Sequence, residues 1–117
     1  MEQALKQFQK RMRQQRSFPG IERVFAELLA LAEENAFSEE QIQLVKDMYE
    51  FNRNRLRKRK LEFIYRKIQE CTSSTQLFDL WQKMRAELVN NRRHLGKEFE
   101  DLVTSRFDQQ LEKLARS

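Results

Sequence analysis

Only two glycines and one proline interrupt the 117 residues of this chain. Both residue types weaken a helix interior, so their scarcity leaves long stretches in which a helix can run unbroken. Apolar residues recur through these stretches at three- and four-residue steps, which is the period of one helix face. The chain therefore predicts an all-α fold built from amphipathic helices.

Three breaks divide the chain into predicted helices. Residues 2–16 carry a narrow apolar seam, which stops where Pro19 removes a backbone donor. Ser38 and Ser73 each open a further helix, because a serine hydroxyl accepts hydrogen bonds from the exposed first amides. In both cases a glutamine follows three residues later, as in a capping box.

These boundaries predict a helical bundle of about four helices, two short N-terminal ones and two long ones. Coiled-coil-like packing in a dimer is an open alternative within that class. The best core helix begins near Ile21 and ends near Asn35, which can serve as its C-terminal cap. We expect one domain, residues 1–117, in which the basic helix of residues 1–16 can be mobile.

The third helix is expected to carry one apolar seam, which thins where the cations crowd. The seam runs through Ile42, Val45, Tyr49, Leu56 and Phe63, with Asn52 and Arg59 at the intervening positions. Four aromatic residues flank the basic part of this helix: Tyr49, Phe51, Phe63 and Tyr65. We assign them to the core, because Phe is commonly buried. The alternative is that exposed rings stack on nucleic-acid bases beside the cations.

The segment from Ser73 to Arg116 has near-heptad apolar spacing. Its seam runs through Leu77, Trp81, Met84, Leu88, Leu95, Phe99 and Leu102, with Asn91 between Leu88 and Leu95. An unbroken helix of this length would reach about 60 Å at 1.5 Å per residue. That exceeds a compact domain of this size. Either the helix bends between Asn90 and Gly96, or a second subunit covers its far end.

The seam and its asparagine favour a homodimer, since a buried Asn often sets the register of a coiled coil. The predicted protein-interface residues are Phe78, Trp81, Leu88, Asn91 and Leu95. Phe78 and Trp81 can also belong to the core. An ordinary antiparallel bundle with Asn91 at its solvent edge is the alternative to the dimer.

Charge is distributed in blocks. The net charge is +4 over residues 1–20, −6 over residues 21–50, +7 over residues 51–69 and zero over residues 70–117. Six cations fall within the eight residues from Arg53 to Lys60. Because such a helix can neutralise phosphates, we expect binding to the nucleic-acid backbone or to a nucleic-acid-associated complex. The candidate binding residues are Lys10, Arg11, Arg13, Arg53, Arg55, Arg57, Lys58, Arg59 and Lys60.

The same cations fit other interpretations. An adaptor, inhibitor or chaperone would use them to bind an acidic protein surface. They can also pair with the acidic block of residues 21–50 or simply keep the surface solvated. In that case the chain would suit a purely structural subunit of an oligomer.

Residues that carry catalysis or bind metals are sparse. Cys71 is the only cysteine and His94 the only histidine, and single ligands of this kind do not form a zinc site. We expect no enzyme activity, cofactor, metal or small-molecule substrate. No apolar run approaches the roughly 20 residues of a membrane helix, and the first residues lack a signal sequence. The expected location is the cytoplasm, or the nucleus in a eukaryote.

Overall fold

The computed structural model describes residues 2–116, which form five α-helices and no strand. The helices are α1 (Glu2–Gln14), α2 (Phe18–Glu34), α3 (Glu39–Glu70), α4 (Ser74–Asn90) and α5 (Arg92–Arg116). The all-α class is confirmed. The number of helices is one higher than expected, because the segment after Ser73 forms two helices.

Three serines cap helices, two of them, Ser38 and Ser73, as the sequence predicted. The hydroxyl of Ser17 accepts a hydrogen bond from the Gly20 amide at 3.2 Å, so α2 begins at Phe18, earlier than Ile21. Ser38 and Gln41 form a reciprocal capping box, with N–O distances of 2.9 and 3.2 Å. The Ser73 hydroxyl accepts from Gln76, whose side chain reaches back to the Thr72 amide. These bonds satisfy amides that have no partner within the helix.

The chain divides into two compact units, one ending at Leu56 and the other beginning at Arg57. In the first unit, α1 packs on α2, and a core cluster forms from residues of α2, the following loop and the start of α3. Its fully buried members are Leu28, Ala32, Phe37 and Val45, joined by the partly buried Leu5, Phe8, Phe25, Leu31, Ile42 and Met48. Phe37 and Ile42 share this cluster, as expected of a hydrophobic staple.

Asn52 is the one buried polar residue of the described chain, and its side chain is satisfied. Its Nδ2 donates to the Met48 carbonyl at 2.8 Å, and its Oδ1 accepts from Arg55 Nε at 3.2 Å. A buried amide costs little when it is paired in this way. The seam position predicted for Asn52 is therefore confirmed within the first unit.

The second unit contains the end of α3, α4 and α5. Its buried apolar residues are Ile64, Ile68, Cys71, Leu77, Met84, Leu88, Leu95, Phe99, Val103 and Phe107. The Trp81 and Phe107 rings meet edge to face, with centroids 4.9 Å apart. Gln110 closes one end by donating to the Cys71 carbonyl.

The expected seam is wrong at three positions of this unit, Arg59, Phe63 and Leu102, which are exposed. The neighbours of the two apolar residues, Ile64 and Val103, are buried instead. A strict seven-residue step drifts about 20° per heptad around a straight helix. Without a supercoil to absorb that drift, burial follows four-residue steps here: Ile64 to Ile68, and Leu95 through Phe99 and Val103 to Phe107.

The break between α4 and α5 has two causes. Asn91 caps α4, because its side-chain Nδ2 donates to the Glu87 carbonyl at 2.9 Å. Gly96 then takes φ 81° and ψ 169° inside α5, a conformation open essentially to glycine alone. The chain does bend between Asn90 and Gly96, which was the less favoured of the two alternatives that the sequence left open. The unbroken helix that argued for a second subunit does not form.

Candidate nucleic-acid interface

The basic run from Arg53 to Lys60 is not a uniform belt of free cations. In the first unit, Arg53 lies 2.6 Å from Glu50 and its guanidinium covers the Tyr49 ring. Arg55 donates from one terminal nitrogen to the carbonyls of Met12 and Gln15, both at 3.3 Å. A cation at these carbonyls satisfies the C-terminal end of α1. Arg55 therefore ties α3 to the end of α1, whereas Glu50 and Tyr49 lie on the same helix as Arg53.

Two cations of the run have the same kind of role in the second unit. Arg57 Nε donates to the His94 carbonyl, which lies in the first turn of α5. Lys60 pairs with Glu87 near the end of α4. Both side chains are half-buried. They fix the start of the second unit's α3 segment against the junction of α4 and α5.

The remaining two cations of the run, Lys58 and Arg59, are exposed. No ion pair or hydrogen bond joins either side chain to another described residue. An exposed cation without an internal partner keeps its full capacity for an external anion, so these two are the cations of the run that remain open to one.

The Arg57–His94 contact brings a second basic segment beside the run. Residues 88–97 contain Arg92, Arg93 and Lys97 and no acidic residue. All three are exposed, and Arg92 also pairs with Glu100 at 2.9 Å. We define the basic corner as Arg57, Lys58, Lys60, Arg92, Arg93 and Lys97. The sequence analysis did not single out the cations of α5. A stretch of ten residues with three cations and no acidic residue could have indicated them.

Phe63 lies on the exposed side of the same α3 segment. Its ring is 45% exposed, so its assignment to the core is wrong. The Arg66 guanidinium carbon and Lys67 Nζ lie 5.8 and 5.5 Å from the ring centroid. Phe51, also assigned to the core, is 65% exposed in the first unit. Tyr49 and Tyr65 are half-buried.

The candidate cations of α1 lie in the first unit and are exposed. Arg11 pairs with Glu27 at 2.6 Å and also covers the Phe8 ring. Lys10 and Arg13 line a shallow polar surface with Lys6, Gln9 and Gln14. Residues 1–56 carry nine cations and nine anions, whereas residues 57–117 carry 14 cations and nine anions. The net charge of +5 therefore belongs entirely to the second unit.

The predicted protein-interface residues fall into two groups. Leu88 and Leu95 are buried in the second unit, and Asn91 is the cap of α4. Phe78 is 60% exposed and lines an apolar groove of about 490 Å³ with Trp81. The groove lies between α4 and α5, and its other walls include Leu77, Thr104, Phe107 and Leu111. The structure thus brings Phe78 and Trp81 to one surface and places the leucines in the core.

The Cys71 thiol is buried and donates to the Lys67 carbonyl at 3.4 Å. Burial raises its pKa, and the neighbouring Glu70 carboxylate raises it further. The thiol is therefore protonated at neutral pH and is a poor nucleophile there. Across residues 2–116, no group of three or more His, Cys, Asp or Glu side chains is placed to hold a metal.

None of the five described helices is both long and apolar enough to cross a membrane. Comparison with known proteins returned no matching family model, no matching curated protein and no matching solved structure.

Proposed function

We propose that this protein binds the sugar-phosphate backbone of nucleic acid through the basic corner. The observation that carries the proposal is the Arg57–His94 contact, which joins two cation segments far apart in sequence. They lie in the unit that holds all of the net positive charge. Clustered cations bind phosphates by releasing condensed counterions, and this binding needs no base contact.

Internal contacts give the cations of this corner different roles. Arg57 and Lys60 are tied to α5 and α4, so they position the surface. Lys58 and Lys97 are exposed and have no described internal partner. They are the side chains best placed to reach phosphates, and the exposed Arg92 can exchange its half-buried Glu100 partner for one.

The first test is fluorescence anisotropy with a labelled mixed-sequence oligonucleotide and nuclease-treated protein, over a series of salt concentrations. The test variant replaces Lys58, Arg92 and Lys97 with Gln. Each lost phosphate contact should lower the slope of log K against log salt by about 0.7 for a single strand or about 0.9 for a duplex. Affinity at low salt should fall at the same time.

A matched control separates local contacts from net charge. Replacing Arg23, Lys46 and Lys113 with Gln removes the same charge from exposed positions outside the basic corner. This control should keep most of the affinity. Equal losses in both triple variants would contradict the proposal. Replacing Arg55 or Arg57 is a poorer test, since each holds backbone carbonyls within its unit.

Equal binding to poly-glutamate and to an oligonucleotide of similar charge would instead favour an acidic protein partner. That outcome would support the alternative function of an adaptor, inhibitor or chaperone. The apolar groove with exposed Phe78 favours this second candidate, because exposed aromatic grooves commonly mark protein interfaces. A Phe78→Ser variant should then lose the protein partner and keep nucleic-acid binding.

A homodimer is a separate proposal. If self-association is the protein's only role, the protein is a structural subunit of an oligomer. The groove lined by Phe78 and Trp81 is its remaining support in the second unit. Light scattering on the purified protein tests it directly. A monomeric mass across the accessible concentration range would contradict it.

A further inference from the structure

We infer that Phe63 is a stacking platform for the bases of single-stranded nucleic acid. The inference rests on the proposed function and names the substrate class of the same basic surface. Phe63 is on α3, three residues after Lys60, which belongs to the basic corner. Phe63 therefore lies one helical turn beyond the end of the basic run, on the side of α3 that also carries Arg59.

The surroundings of Phe63 distinguish it from the other exposed aromatic side chains. On a helix, the surface neighbours of a residue are those three and four positions away. All four of these neighbours of Phe63 are cations: Arg59, Lys60, Arg66 and Lys67. The corresponding neighbours of Phe51 include one cation and one anion, and those of Phe78 include no charge.

The cations beside Phe63 leave its ring accessible. Arg66 and Lys67 lie near the outer limit of about 6 Å for a cation–π contact, and the ring is 45% exposed. Lys67 pairs only loosely with Glu70, at 3.6 Å. Arg59 is exposed without a described partner. A partly exposed ring with Arg59 and Arg66 beside it matches the way proteins combine base stacking with backbone neutralisation.

Stacking of this kind favours single strands over duplexes. Bases within a duplex are already stacked on one another, so a ring projecting from a convex helix surface cannot reach their faces. A single strand can turn a base outward and stack it on Phe63 while its phosphates meet Arg59, Arg66 or Lys67. The expected ligand is therefore a flexible single strand without strict sequence preference.

The test compares three labelled ligands of equal length: a single-stranded oligothymidylate, an abasic strand with the same backbone, and a duplex. Wild-type protein should bind the oligothymidylate most tightly. Phe63→Ala should weaken oligothymidylate binding by about tenfold or more. It should leave abasic-strand binding unchanged, because that ligand has no base to stack.

Two further kinds of variant control for fold and ring chemistry. Phe51→Ala and Phe78→Ala remove rings that are more exposed than Phe63 but lack its cations, and both should keep wild-type affinity. Phe63→Trp should retain or strengthen binding. Its fluorescence should be quenched when a base stacks on it, over the background of Trp81, the only native tryptophan.

The outcomes separate this inference from the proposed function. Equal affinity for all three ligands, unchanged by Phe63→Ala, would overturn the stacking platform and leave backbone binding intact. Failure to bind any of the three would overturn both. Binding to phosphatidylserine vesicles without binding to the oligonucleotides would also overturn both and assign the surface to an anionic membrane.

Discussion

The two units use the same basic run in different ways. In the first unit, Arg53 meets Glu50, Arg55 meets the end of α1, and positive and negative charges are equal in number. In the second, Arg57 and Lys60 are anchored but Lys58 and Arg59 are exposed, in a unit of net charge +5. A run of cations is therefore a mixture of structural and available groups. Only packing shows which members are which.

The arginines Arg55 and Arg57 make the comparison concrete. Each donates to a backbone carbonyl near a helix end, and each belongs to a different unit. The difference between the units lies in what surrounds them. The first unit carries equal numbers of cations and anions, whereas the second carries five more cations than anions. This contrast locates the candidate interface in the second unit.

The largest expected effect tests which face of α3 is buried in the second unit. Replacing Ile64 with Ala should lower the free energy of unfolding by about 2–5 kcal/mol, because it leaves a cavity. Replacing its exposed neighbour Phe63 with Ala should change it by only about 0.5 kcal/mol. Urea unfolding followed by circular dichroism measures both. A larger loss of stability for Phe63→Ala than for Ile64→Ala would show that Phe63 is buried, as the seven-residue seam predicted, and would contradict its exposure.

A smaller effect is expected when alanine replaces the two glycines, one in each unit. Gly96→Ala should cost about 1–3 kcal/mol, because its positive φ strains any side chain. The strain is conformational, since an added Cβ would meet nothing within 4 Å.

Gly20→Ala is the matched control in the first unit. Gly20 is helical, and its added Cβ would meet the movable end of the Gln15 side chain and, at 3.2 Å, the Ser17 hydroxyl oxygen that caps α2. The higher helix propensity of Ala is worth up to about 1 kcal/mol, and displacing these groups offsets part of it, so the change in stability should be close to neutral. Thermal unfolding compares the two variants. An equally small change in stability for Gly20→Ala and Gly96→Ala would contradict the break inside α5.

The smallest of these effects concerns the anchored arginines. Arg55→Gln and Arg57→Gln should each lower the free energy of unfolding by about 1 kcal/mol, because each leaves backbone carbonyls without their donor. Lys58→Gln and Arg59→Gln should change it by less than about 0.5 kcal/mol. Chemical denaturation of the four single variants gives the comparison. Equal effects at all four positions would contradict the division of the run into anchored and exposed cations.

Much of the fold was readable from local signals. Ser17, Ser38 and Ser73 mark helix starts because the hydroxyl and the amides it satisfies are within three residues of each other. The all-α class follows from the same local logic of helix period and few breakers. The split at Asn91 and Gly96 was one of two open alternatives, because a heptad pattern alone does not show whether a helix bends or finds a partner.

The sequence predicted only one of the two basic segments of the candidate site. The run from Arg53 to Lys60 is contiguous and easily found, and Lys58 and Arg59 are exposed as a solvated stripe requires. Arg92, Arg93 and Lys97 escaped notice because they approach the run only through the Arg57–His94 contact, across 37 residues of sequence. Phe63 was assigned to the core in place of its neighbour Ile64. Adjacent side chains of a helix point about 100° apart, so an error of one residue exchanges a buried position for an exposed one.

The sequence by itself determined the helical class, the helix starts, the basic run and the absence of a recognisable catalytic motif, because these depend on residues close together in the chain. Tertiary structure alone decided which cations are anchored, which aromatic rings are exposed and which distant basic segments meet. Those outcomes depend on the packing of α3 against α4 and α5 within the second unit. Burial is a property of that packing, and no local pattern specifies it.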